Sequence, residues 1–490
     1  MIQQEINQDR AMTNEDLIAL SPLLTIAATS VALMLVIAYR RDRLIALACT
    51  LVGIALAIAM LPIAATRAPR QITPLLILDQ YAIFYLGLLF VAGFVVASLA
   101  HGYLCEHEGQ PEEFYLALLL ATSGGAALVM SDHFASFFLG LELLSVSLYV
   151  LIAYPRARAH SVEAGIKYLI LAAASAAFLL FGMALIYAEL GTMEFARIGV
   201  ETAGAVRPEL LLIGQGMIFV GIGFKLAVVP FHVWAPDVYE GAPAPVTAFV
   251  ATVSKGAVFA LLVRYFANLG SESFNLFFPA LAVIAVASMF VGNLLALAQN
   301  NVKRILAYSS IAHFGYLLVA FLAGGSLGAT AAAFYLVAYI VTSLMAFGVV
   351  TVLSDRREAE EMEDYRGLFW RRPGIATIFL AALLSLGGIP LTAGFMGKFY
   401  VLVAGLGSAL WLLALMLVVN TMIGFYYYLR LAFMMFRDAP EGGAVSFATP
   451  SLSFMSAAAL AGLTLLMVWM GVYPGPIINT IRTMVAGLIP

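Results

Sequence analysis

Charge is scarce in this chain. Asp, Glu, Lys and Arg make up 11% of its 490 residues against 63% hydrophobic ones, and mean hydropathy is +0.99. A soluble domain carries about a quarter charged residues, so that class is excluded. Alternating ten-residue segments are absent, which rules against a membrane β-barrel. There is no basic tract and no aromatic–basic interleaving, and the net charge is only −3, so no nucleic-acid partner is expected. A glycine-rich phosphate loop following a strand pattern is also missing, so nothing points to a nucleotide site. Cysteine occurs twice, as Cys49 and Cys105, in no metal-ligating spacing. Both read as small packing residues at helix ends, and no metal site is expected.

What the chain has in abundance is apolar runs of roughly 18 to 25 residues, the length that a hydrocarbon core of about 30 Å demands of a helix. They number about fourteen, from residues 17–39 to residues 450–474. The fold class is an all-α polytopic membrane protein, with a lipid bilayer as its surroundings. The first sixteen residues are polar and on balance acidic, unlike a cleaved signal peptide, so the first run is read as a retained span.

Arginine and lysine collect in alternate loops: Arg40, Arg41 and Arg43; Arg156 and Arg158; Lys303 and Arg304; and Arg437. The longest polar loop, SDRREAEEMEDYRGLFWRRP, lies on the same side and reads as a solvated helical connector. The other side holds fewer, such as Arg67, Arg70, Arg197, Arg207 and Arg482. With an even number of spans this bias places both termini on the outer side of the membrane.

Two spans are interrupted. In the run GFKLAVVPFHVWAPDV, Pro230 follows Lys225, and in SLGGIPLTAGFMGKF the sequence Gly387, Gly388, Pro390 precedes Lys398. Proline removes a backbone donor and clashes with the preceding turn, so both helices are expected to break. The breaks lie five spans apart, and five is odd, so a five-helix unit repeated in tandem enters the membrane upside down the second time. The expected organisation is a three-helix segment at 1–110, one repeat at 111–268, its inverted copy at 269–438, and a C-terminal helix at 439–490. Interrupted helices in matching positions of inverted repeats mark a transport path.

Four ionisable residues stand away from span ends: Glu142, Lys225, Lys255 and Lys398. Each costs about 2.5 to 3.5 kcal/mol at mid-bilayer even on the lenient insertion scale, so each must face protein or water. A buried ion pair that only holds helices together is one reading, but one acid leaves two lysines over, and intramembrane charges are by default functional. Lysine suits proton relay because burial disfavours its charged form while a carboxylate restores it. Opposite charges about 4 Å apart at an effective dielectric of about 20 interact by about 4 kcal/mol, or about three orders of magnitude in proton affinity. Glu142 moving toward or away from Lys225 would therefore load or unload a proton. His232 and His313 read either as hydrogen-bonded packing residues or as carriers between lysines. Glu163 and Lys167, four apart on one helix, read either as an entrance pair or as an interfacial salt bridge.

The stretches FLGLELLSVSLYVLIAY, GFKLAVVPFHVWAPDVYEGAPAPVTAF, ATVSKGAVF, NVKRILAYSSIAHFGYLLVA and LSLGGIPLTAGFMGKFYV resemble the antiporter-like membrane subunits of respiratory complex I, over nearly the whole chain. Lys398 and the plain fourteen-span length favour the smallest of the three kinds in that family, one of whose larger relatives looks to have glutamate at this position. The resemblance implies a proton-translocating subunit without a redox centre, driven by electron transfer elsewhere, and since the segment before Met12 is unlike the family's usual start, it implies a choice of initiator between Met1 and Met12. Glu142 and Lys225 would be the coupled pair, Lys255 the central relay lysine and Lys398 the exit-side lysine. It further implies NADH, FMN, iron–sulfur clusters and quinone bound by other subunits, and partners among the membrane-arm subunits, including antiporter-like relatives. The competing readings are a subunit of a multi-subunit sodium/proton antiporter, which shares these stretches, an independent solute carrier, and a structural spacer.

Overall fold

A computed structural model describes residues 12–106, 110–204, 206–354, 359–438 and 453–488. The segment before Met12, and with it the question of the initiator, lies outside the described residues. Three spanning helices come first: α1 (Asn14–Tyr39), α2 (Arg43–Ala65) and α3 (Gln80–Glu106), with a small antiparallel hairpin, β1 (Arg70–Thr73) and β2 (Leu76–Leu78), between the last two. Thr13 and Asp16 cap α1 reciprocally, and Asp16 accepts from Arg70 at 2.5 Å, which ties the hairpin to the start of the chain.

Next come α4 (Pro111–Met130), α5 (Phe134–Ile152), α6 (Ala159–Leu190), α7 (Pro208–Leu226), α8 (Trp234–Gly241) and α9 (Ala244–Asn268). They are followed by α10 (Gly270–Leu297), α11 (Val302–Ala323), α12 (Gly325–Leu353), α13 (Pro373–Gly387), α14 (Ala393–Gly407) and α15 (Trp411–Phe436). The chain then forms α16 (Phe454–Val472) and α17 (Gly475–Ala486). Among the described residues thirteen helices are long and apolar enough to cross a membrane, and the half-length pair α13 and α14 supplies one further crossing. That agrees with the fourteen expected from hydropathy. The twelve-residue α17 is an addition, too short to cross, which packs on α3 and α12.

Packing partners recur. In the first set of five spans α4 packs on α5, α5 on α6, α6 on α7, and α9 on both α4 and α7. In the second set α10 packs on α11, α11 on α12, α12 on α13 and α14, and α15 on both α10 and α13. Because each set holds an odd number of spans, the second runs opposite to the first. The α4–α5 crossing depends on glycine. A Cβ on Gly124 would meet the backbone nitrogen of Leu144 at 2.5 Å and the oxygen of Gly140 at 2.8 Å, so any other residue would push the helices apart.

α9 and α11 are enclosed over an eighteen-residue apolar stretch each and α12 almost so, which makes this trio the centre of the molecule. Two expectations need correction. Cys49 lies within α2 rather than at a helix end, and only Cys105 lies at one, where it is exposed. The polar connector after α12 is no plain solvated helix. Its described part forms short turns that bury Met362, Tyr365 and Leu368. From it Glu360 reaches Arg158 at 3.3 Å and Lys303 at 3.2 Å, so that charge pairing as well as apolar burial holds the connector on both helical sets.

Candidate functional site

The first interruption begins earlier than Pro230. Helix α7 stops at Leu226, Ala227 takes a left-handed φ of 57°, and helix resumes only at Trp234. The freed backbone groups find new partners: Trp234 Nε1 donates to the Phe224 oxygen at 2.8 Å, and the Val229 nitrogen donates to Ser288 Oγ of α10 at 2.9 Å. Non-helical backbone at membrane depth persists only when satisfied in this way. Lys225, in the last turn before the break, is 3% exposed. Its Nζ donates to Ser145 Oγ at 2.6 Å and to the Tyr168 hydroxyl at 3.3 Å. Ser145 already donates to the Leu141 oxygen, so it presents lone pairs to the lysine.

Glu142 lies one turn before Ser145, half-buried among the exposed Leu139, Leu143 and Val146 on the outer face of α5. Among the described residues no direct ion pair joins it to Lys225. Ser145 occupies the ammonium instead.

Lys255 is fully buried and follows one π turn, Val250–Ser254, inside α9. Such a turn marks a local shift of helical register. Its Nζ donates to Ser310 Oγ at 2.8 Å, and the Tyr339 hydroxyl donates to the same oxygen at 2.7 Å. With both lone pairs engaged, Ser310 keeps its own proton to donate onward. Three residues further along α11, His313 holds the Tyr335 hydroxyl on Nδ1 at 2.7 Å and the Tyr428 hydroxyl on Nε2 at 3.2 Å, and Tyr428 also bonds Ser309. Between Lys225 and Lys255 run the rings of Tyr168, Trp234 and Tyr239, with centroids 4.9 and 6.5 Å apart.

The second interruption has different chemistry. Helix α13 ends at Gly387, and Gly388 has a φ of +86°, a conformation that suits glycine. Pro390 lies in the non-helical link, and Thr392 caps α14. Lys398, 7% exposed, turns back and donates to the carbonyl oxygens of Leu386 at 2.9 Å and Gly387 at 3.1 Å. It thereby occupies the negative end of the α13 dipole. Its Nζ also lies 5.2 Å from the ring of Tyr316, whose hydroxyl accepts from Asn293.

Near the arginine-rich side, Glu163 and Lys167 pair at 2.9 Å, and Lys167 pairs equally with Asp237 of α8. Asp237 and Glu240 both hold Arg304 of α11, at 2.9 and 2.7 Å. The expected pair is thus one end of a network that joins the two helical sets. His232 stands apart. Its Nδ1 is buried without a partner, and among the described residues no hydrogen bond joins it to a lysine. Among the described residues no three His, Cys, Asp or Glu side chains cluster as metal ligands.

The hydroxyls Ser145, Tyr168, Ser310, Tyr339 and Tyr428 escaped the sequence reading, because polar side chains that bond across helices carry no mark of their partner. Asp79 and Arg264 escaped as well. Four residues from the end of α9, Arg264 reads as an ordinary span terminus, yet it pairs with Asp79 at 2.8 Å in the interior.

The model of the NADH:quinone oxidoreductase/Mrp antiporter transmembrane family matches residues 131–424, a range that holds Glu142 and all three lysines. NADH-quinone oxidoreductase subunit N of Nitrosospira multiformis is 51% identical over 96% of this chain and 97% of its own length. The protein of that name from Chromohalobacter salexigens is 47% identical over 96% and 99%. Among solved structures, a chain of respiratory complex I from Thermus thermophilus superposes with a TM-score of 0.79 at 33% identity, over 94% of this chain and 98% of its own. A chain of the Mrp complex from Dietzia sp. superposes at 0.86 with 21% identity, over 98% of both, a likeness of fold alone.

Proposed function

The chain belongs to the NADH:quinone oxidoreductase/Mrp antiporter transmembrane family, and from that premise we propose that it serves as the N subunit of a respiratory NADH:quinone oxidoreductase, carrying protons while electrons move in other subunits. The sequence relationship favours this over the sodium/proton antiporter reading. Identity to proteins named subunit N reaches 51%, against 21% to the Mrp chain. In this reading the subunit binds none of the complex's NADH, FMN, iron–sulfur clusters or quinone. It packs against other membrane-arm subunits in the bacterial inner membrane, with both termini periplasmic, and has no catalytic activity on its own.

The observation that carries the reading is the row of three buried lysines, each at an irregularity of its helix and each held by uncharged oxygens. An ammonium held by hydroxyls or carbonyls can lose its proton without stranding a buried counter-charge. The proton on Lys225 would pass along the Tyr168, Trp234 and Tyr239 line to Lys255 with the help of water. From there Ser310 and the His313 cluster lead toward Lys398. Glu142 sets the affinity of Lys225, approaching past Ser145 to load it and withdrawing to release it. The Glu163, Lys167 and Asp237 network marks the entrance.

The test is a Lys225→Ala variant of the complete complex in inverted membrane vesicles, with NADH oxidation and proton uptake followed together. Uptake per NADH is expected to fall severely with assembly intact on a native gel. Unchanged uptake would overturn the relay, and uptake that depended on sodium would favour the antiporter reading.

A further inference from the structure

The relay leaves the buried guanidinium of Arg264 unused. Arg264 lies nine residues beyond Lys255 on α9, about 13 Å along the helix axis toward the side opposite the arginine-rich loops. It is 2% exposed and Asp79 is 7% exposed. Nη1 and Nη2 of the guanidinium each donate to one carboxylate oxygen of Asp79 at 2.8 Å, and its plane lies 4.9 Å from the Tyr81 ring. The pair is anchored in two helices: Asp79 accepts from the Ala82 nitrogen at the start of α3, and the Tyr81 hydroxyl donates to the Ala260 oxygen of α9. Stability does not account for it, since apolar residues of the same shape often replace such a pair without loss.

Its place does account for it. At the depth of Lys255, Leu89 of α3 packs against Gly256. One turn further out comes Tyr85, and one more turn brings Tyr81, its ring 4.6 Å from that of Tyr85. Two phenols therefore step from the level of Lys255 to Arg264. A proton wire needs members that accept on one side and donate on the other. Arginine has five donors, no acceptor, and a proton it does not release in proteins, while both oxygens of Asp79 are already engaged. The second helical set has a counterpart: Arg430, six residues before the end of α15, donates to the Leu297 and Gln299 carbonyls at the end of α10. Because the sets are inverted, the two arginines lie toward opposite faces of the membrane.

We propose that Arg264, fixed by Asp79, insulates the outer end of the first helical set, so that a proton on Lys255 leaves through Ser310 rather than directly across the membrane. This rests on the relay reading above.

The test compares two double variants in vesicles holding the whole complex, both of which keep an N-cap at position 79 and remove the paired charges of Asp79 and Arg264 together. Asp79→Asn with Arg264→Ser opens a polar gap wide enough for water. Asp79→Asn with Arg264→Met removes the same charges but fills the space with apolar atoms. Without NADH, decay of an imposed pH gradient is expected to quicken on the order of tenfold in the serine variant and to stay at the parent rate in the methionine variant. Gradient decay unchanged in both, in assembled complex, overturns the proposal. Decay quickened equally in both overturns it too, since packing or charge would then be the barrier. The relay reading is judged separately, by proton uptake in Lys225→Ala.

Discussion

Lys398→Glu is the sharpest perturbation of this site, since it puts an acceptor where two carbonyl oxygens require a donor. Here the pocket is built from acceptors. The ammonium donates to two carbonyl oxygens, at 2.9 and 3.1 Å, at the C-terminus of α13. Charge-assisted hydrogen bonds contribute about 1.5 to 3 kcal/mol each, so losing two removes about 3 to 6 kcal/mol. A carboxylate there also meets the half-negative charge of the helix end, about 2 kcal/mol of repulsion at about 4 Å and an effective dielectric of about 20. A glutamate that takes up a proton instead escapes that repulsion at a cost of about 4 kcal/mol at neutral pH. By either route the variant loses several kcal/mol and holds no releasable cation at the second break. The assay is proton uptake per NADH oxidised in inverted vesicles, with assembly followed on a native gel, and Lys398→Gln as a neutral donor for comparison. Uptake is expected to collapse in both, with assembly poorer in Lys398→Glu. An assembled Lys398→Glu complex that pumps at the parent rate would refute the claim that carbonyl acceptors define this position.

Two further outcomes follow from the same geometry. Ser310→Ala removes the acceptor of both Lys255 and Tyr339, about 1.5 to 3 kcal/mol for the charged partner, and is expected to depress proton uptake in assembled complex while Ser310→Thr preserves it. Equal uptake in Ser310→Ala would remove Ser310 from the route. At the outer end of α4, burial, only partly offset by the Arg264 charge, holds the Asp132 carboxyl above the usual carboxylate range. A raised folded-state value means that the folded protein loses stability as pH rises through it, because a buried carboxyl must then ionise. Asp132→Asn is therefore expected to raise the melting temperature at neutral pH and leave it unchanged in acid. A gain of equal size at both would show that ionisation is not the cause.

The architecture was legible because the bilayer sets helix length, so that span number follows from counting apolar residues. Both interrupted helices were legible too, but proline was an incomplete guide. Pro22, Pro62 and Pro279 lie inside continuous helices, whereas the true breaks begin at the left-handed Ala227 and Gly388, ahead of Pro230 and Pro390. The lysines declared themselves through the cost of a charge among apolar residues. Their partners did not, because serine and tyrosine are common in such helices and only cross-helix register decides which of them face a lysine. Arg264 failed to register for a related reason: position along a helix is visible in sequence, whereas the side it faces is not.

The π turn in α9 acts as a phase setting. Nine residues separate Lys255 from Arg264, about two and a half turns, so the two side chains leave the helix in opposite directions. One faces α11 and the other α3. Every residue after Val250–Ser254 inherits the rotation that the wider turn introduces, and losing a single residue there would swing lysine and arginine together by about 100°. The contact of Lys255 with Ser310 and the pairing of Arg264 with Asp79 thus share one local irregularity, and neither can be shifted in that segment without shifting the other.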